Sequence, residues 1–151
     1  MNIRFGSYEY VLAPNATIQE LGKNLSIQIL AENVNFEELE SVLKNPDNLN
    51  EIVILDDNNQ PQQYIYGYSK LDNIHKNYHV LYWTETVEHM VPENIDSQTG
   101  NITPSKIESE IIEHYADIFY ISLIKPSLED QVKINTANIE FLAIMSNIDL
   151  E

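Results

Sequence analysis

Few side chains in this sequence have types and spacings that do chemistry. The histidines are His75, His79, His89 and His114. His75 and His79 stand four apart, a spacing that presents two metal ligands on a helix but not reliably on one edge of a strand. Glu113-His114 lacks the second histidine of a zinc-protease motif. Asp56, Asp57, Asn58 and Asn59 match a calcium loop in composition only, without its alternate spacing, central Gly and terminal Glu. No glycine-rich phosphate loop or GxSxG elbow occurs, and the four Gly fall in turns, in a strand (Gly67) or in a linker. The absence of Cys excludes disulfides, thiolate metal sites and cysteine nucleophiles. The expectation is no catalytic residue, no cofactor and no metal.

Two groups of residues remain, and both suit contact. Tyr64, Tyr66 and Tyr68 alternate along one predicted strand, so their rings share a face. Exposed, such a strip suits a carbohydrate or peptide; buried, it packs under a helix. The second group follows Pro126, in the segment SLEDQVKINTANIEFLAIMSNI. Leu128, Val132, Asn135, Ile139 and Leu142 recur at steps of four and three. A second stripe, Ile134, Ala137, Phe141, Ile144 and Ile148, adjoins the first and leaves a thin polar face. A helix of this kind wants a partner helix. That partner is either a second chain or the preceding segment of the same chain, folded back as a helical hairpin. Asn135 inside a coiled-coil seam costs stability but fixes register or oligomer state.

The elements that hold these groups read as follows. Asn2–Phe5 and Tyr8–Leu12 flank Gly6-Ser7, a link suited to a type II′ turn. Thr17–Leu21 and Leu25–Ala31 flank Gly22-Lys23-Asn24 as a second hairpin. Asn35 is an N-cap with Glu38 three residues on, and Phe36, Leu39 and Val42 or Leu43 form one face of a short helix ended by Pro46. Glu51–Leu55, Gln62–Tyr68 and Tyr78–Val87 read as strands, with Asp56–Pro61 a polar turn and Ser69–Asn77 either strand or wide loop. Residues 88–104 carry two Pro, a Gly and small polar residues, as a linker does. Ser105 with Glu108 forms a capping pattern, and Ile107, Ile111, Tyr115, Ile118 and Ser122 share a helical face, which predicts a helix over 105–123. Pro126 stops it, and Ser127 with Asp130 caps the last helix.

The fold expected is therefore α+β. An antiparallel β domain with one short packed helix covers 1–88, a linker covers 89–104, and a helical C-terminal segment of two helices covers 105–151, the last one coiled-coil-like.

A chain of 151 residues with 43% hydrophobic composition can bury a core. Its net charge of −16 is spread evenly, −8 on residues 1–88 and −8 on 89–151, so there is no acidic tail. That charge disfavours nucleic acid and anionic membrane as partners, since both need Lys and Arg against phosphate. No apolar stretch has the length of a membrane span, and the N-terminus lacks the basic and apolar regions of a signal peptide, so the expected place of synthesis and residence is the cytosol.

Asn135–Leu150 (NTANIEFLAIMSNIDL) resembles the ends of small proteins encoded in the tail and baseplate regions of phages and phage-like particles of low-GC Gram-positive bacteria. Those ends carry a phrase of the form NxANIxYLAMM before an acidic, apolar terminus. Ile52–Gln60 (IVILDDNNQ) followed by Tyr64–Tyr68 (YIYGY) is similar to a strand pair of their β-rich domains, with Asn59 where the family turn has Gly. The resemblance implies a structural role in a phage tail, baseplate or tail-like particle, without catalytic residues. It implies partners among tail or baseplate proteins and a location that passes from the cytoplasm during assembly to the virion. A homo-oligomer follows from the apolar stripes, and a trimer would suit a tail tip. A glycan-binding module built on the tyrosine strip is the alternative.

Overall fold

The computed structural model describes residues 1–14 and 18–146, and its architecture is α+β with mostly antiparallel sheet. Thr17, Ile148 and Leu150 lie outside the described residues. The first sheet has strand order β2-β1-β5-β6, with β1 at Asn2–Phe5, β2 at Tyr8–Val11, β5 at Glu51–Leu55 and β6 at Pro61–Tyr66. The second has order β3-β4-β10-β7, with β3 at Gln19–Leu21, β4 at Asn24–Leu30, β7 at Lys70–Val91 and β10 at Lys106–Ile124. A small ribbon pairs β8 (Asn94–Ile95) with β9 (Ile102–Thr103). Helix α1 spans Phe36–Lys44 and α2 spans Leu128–Met145.

Period-two alternation builds the core. Ile3 and Phe5 point inward from β1, as do Leu25, Ile27 and Ile29 from β4 and Phe119, Ile121 and Leu123 from β10. Helix α1 adds Leu39, Val42 and Leu43 to the same cluster, and Ile52, Ile54 and Ile65 join it from the first sheet. Each such side chain, fully buried, contributes about 1.5–3 kcal/mol against conformational entropy. The Asn35 side chain accepts from the amides of Glu37 and Glu38 at 2.9 and 3.1 Å, which fixes where α1 begins.

Turn chemistry follows the sequence reading. Gly6 sits at φ +59° between β1 and β2, and a Cβ there would collide with the Asn48 side chain. Asn59 takes φ +58° in the β5–β6 turn, which shows how Asn substitutes for Gly at a left-handed position. Asp56 Oδ1 accepts from Asn58 and Gln60 amides at 2.9 and 2.8 Å, so the acidic cluster is a closed turn.

The structure overturns the helix expected over 105–123. Residues 106–124 form strand β10, not a helix, so no helix immediately precedes α2 and the expected helical hairpin with residues 105–123 is excluded. The C-terminal half of β10 runs between β4 and β7 at the centre of the second sheet, with Phe119 opposite Ile29 and Ile121 opposite Ile27 and Ile74. Residues 105–124 therefore belong to the β body expected to end at 88. The expected linker is also structured: β7 continues to Val91, and Asp96 closes the tip by accepting from Gln98 and Thr99 amides at 2.8 and 3.3 Å. Those two amides hold the Asp96 carboxyl below the usual carboxylate range.

Candidate functional site

Helix α2 begins at a complete capping box. The Ser127 hydroxyl oxygen accepts from the Asp130 amide at 3.1 Å, and Asp130 accepts from the Ser127 amide at 3.1 Å, as the spacing predicted. The hydrogen bonds from Ser127 hold the Asp130 carboxyl below its ordinary pKa. Beyond that start the helix stands uncovered. Leu128, Val132, Ile139 and Leu142 are exposed, the last two at 58% and 62%, and so are Asn135, Ile134, Phe141, Ile144 and Met145. Ala143 is its only buried residue among those described.

The two apolar stripes do not adjoin. At ~100° per residue they centre about 160° apart on the helix. The seam Leu128, Val132, Asn135, Ile139, Leu142 occupies one side, and Ile134, Ala137, Phe141 and Ile144 the other. A helix apolar on both sides is one that ends up buried on both sides. In heptad terms Val132 and Ile139 take a positions, Asn135 and Leu142 take d, and Asn135 lies within the seam.

The second uncovered extension went unrecognised in the sequence. From Asp117 outward, β10 leaves β4 and pairs with β7 alone, ending at Lys106 opposite Val91. About ten residues at ~3.4 Å each make an arm roughly 35 Å long. Its base is a bulge: His79 has φ +51°, and its amide donates to Asp117 Oδ1 at 3.0 Å. Lys76 Nζ lies 3.1 Å from Asp117 Oδ2. The His79 amide foremost, and then Lys76, hold the Asp117 carboxyl below the usual range.

On one face of the arm Ile107 lies opposite Met90, with Ile111 four residues on, Glu88 opposite Ser109 between them and Glu113 just beyond. Met90, Ile107 and Ile111 are 71%, 66% and 68% exposed. On the other face Trp83 stacks on His114 at 4.6 Å, and His114 Nε2 lies 3.3 Å from Glu85. Between Val80 and Ala116 every charged residue is acidic except Lys106, histidines aside. The signal available in the sequence was the β-branched and aromatic richness of 111–124, which favours strand over helix.

The tyrosine strip is divided. Tyr64 and Tyr66 on edge strand β6 are exposed, with rings parallel and 6.3 Å apart. The Tyr66 hydroxyl donates to Glu51 at 3.2 Å. Tyr68 lies beyond the strand, past Gly67 at φ +89°, and is 1% exposed with Lys125 over its ring. The three rings thus do not form one surface. Strand β6 pairs with β5, in a different sheet from Tyr78 and Tyr82 of β7.

Three of the four histidines stack on aromatic rings, and His89 lies 3.8 Å from Glu108. His75 stacks on Tyr120 at 5.3 Å and His79 on Tyr115 at 4.4 Å. Among the described residues no three His, Cys, Asp or Glu converge as metal ligands. No described helix is long and apolar enough to cross a membrane. Comparison with protein-family models, with curated proteins and with solved structures yields no match, so the site stands on its own geometry.

Proposed function

We propose that this chain is a non-enzymatic structural component of a phage tail, baseplate or tail-like particle, assembled with copies of itself or with neighbouring particle proteins through α2. The supporting observation is the exposure of α2, with apolar seams on both sides and one buried residue. A single partner helix covers one seam and leaves Ile134, Phe141 and Ile144 in water. The helix therefore suits a bundle, or a groove in another protein that receives the second seam. Particle identity rests on the resemblance of Asn135–Leu150 and of Ile52–Tyr68 to tail-region proteins, and with it the passage from cytoplasm to particle. Peptide mass spectrometry of purified particles from the source cell tests the placement. The chain should appear there in stoichiometric amount, and its absence from every particle fraction refutes it.

The parallel, exposed pair Tyr64 and Tyr66 favours a second reading, a small aromatic platform for cell-wall glycan. On that reading Tyr64→Ala with Tyr66→Ala abolishes retention on purified cell wall. Unchanged retention, or none in the native chain, removes it.

A further inference from the structure

The two ends of the second sheet carry opposite charge. Lys23, Lys70 and Lys125, three of only eight Lys and Arg on a chain of net charge −16, line one cleft of about 510 Å³ where α2 leaves the body. Ile124, Pro126 and Ile134 give this cleft an apolar lining. Asp130 also lines it and stays ionised beside its neutral Ser127 partner, so the lining sets three ammonium groups against one carboxylate and remains net positive. Lys23 and Lys70 are exposed and make no ion pair among the described residues, and Lys125 reaches Glu20 only at 3.9 Å.

The opposite end is the acidic arm. Its exposed knob of Met90, Ile107 and Ile111 is flanked by the carboxylates of Glu88 and Glu113. Knob and cleft match in kind: apolar centre against apolar lining, carboxylates against ammonium groups. A two-fold contact of arm on arm would bring carboxylates together, which disfavours it.

We propose that the knob of one copy seats in the lysine-rimmed cleft of a second copy, head to tail. Such a contact is heterologous, so it propagates from copy to copy until it closes a ring or extends a filament. Attraction across the seat acts within a Debye length of about 8–10 Å, while repulsion between the distant acidic surfaces is screened at ~0.1–0.15 M salt.

The experiment uses the full chain carrying Ile139→Asp and Leu142→Asp, so that association through α2 does not mask the contact. This chain should self-associate in sedimentation velocity at 0.1 M salt and dissociate at 1 M. Lys23→Glu with Lys70→Glu, or Glu88→Lys with Glu113→Lys, should each weaken association at least about tenfold. All four positions are exposed, and unchanged circular dichroism verifies folding. Mixing the two reversed chains should restore association, because native knob then meets native cleft and reversed knob meets reversed cleft. A parent chain that stays monomeric at millimolar concentration overturns the proposal, as does a salt-insensitive association or a mixture that does not recover. These outcomes leave the role of α2 in the native chain untouched, so the two readings fail separately.

Discussion

Replacing Ile139 and Leu142 with Asp separates a helix made for assembly from one made for the monomer's own stability. In the single chain these side chains are 58% and 62% exposed, so somewhat over half of their apolar surface is still in water. Full burial of such a side chain is worth about 1.5–3 kcal/mol, so the fraction left to gain is ~1–2 kcal/mol each. Losing both removes ~3 kcal/mol per chain from any interface that covers them, and the new carboxylates add a desolvation cost. Association should weaken by at least ~100-fold, which light scattering across a concentration series reads directly at 1 M salt, where the knob and cleft do not hold copies together. Unfolding of the monomeric body should move by no more than ~0.5 kcal/mol, because these side chains are exposed and lie outside the core cluster. The reasoning is refuted if the native chain remains monomeric at high concentration. It is equally refuted if the variant keeps the native mass.

The core responds in the opposite way. Phe119→Ala, at a site 1% exposed with Phe36 5.9 Å away, should cost about 3–5 kcal/mol in urea unfolding, whereas Ile111→Ala on the uncovered arm should stay within ~0.5 kcal/mol in the monomer. Asp117→Asn should change the acid limb of stability. Its folded pKa lies below the unfolded value of ~3.9, so the stabilisation is present above that value and is lost as pH falls through the folded pKa. The native chain should therefore be the more stable at neutral pH. The difference should vanish under strongly acidic conditions, with exchange of the His79 amide faster in the variant at neutral pH; a gap that persists in acid removes the carboxylate from the explanation.

The body of the fold was legible because its signals are local. Alternation in Leu25–Ile29 and the caps at Asn35 and Ser127 each depend on residues a few positions apart, and each appears where its chemistry put it. Strand β10 was not legible for a physical reason. Ile107, Ile111, Tyr115, Ile118 and Ser122 satisfy a helical face, and Ser105 with Glu108 mimics a capping box. The partners that decide the matter lie far away: β7 across the tip, and β4 at a separation of nearly a hundred residues. Helical spacing was present, but cross-strand pairing determined the conformation. In the structure Glu108 meets Lys106 at 2.6 Å instead of capping anything. The same long-range pairing hid the arm, and with it the knob at Met90, Ile107 and Ile111. The tyrosine strip failed at Tyr68 because the strand ends at Tyr66, and Gly67 turns the next ring into the body.

The two extensions share an energetic predicament that bears on the proposed assembly. A two-stranded ribbon without a covered face is marginal in water, and a lone helix of 18 residues is little better. Both carry local devices that reduce the cost of ordering: the capping box at Ser127, and the His79–Asp117 bulge with the Asp96 turn at the two ends of the arm. None of these buries apolar surface. The surface that would complete the balance is on the outside, in Ile139, Leu142 and Phe141 of the helix and in Met90, Ile107 and Ile111 of the arm. In the proposed assembly, covering it between chains would supply what the single chain lacks, and ordering and association would then be thermodynamically linked. The heat-capacity change on assembly should then exceed the value for docking preformed surfaces. The hydrophobic core, already closed around Phe5, Leu43 and Phe119, should contribute nothing to it.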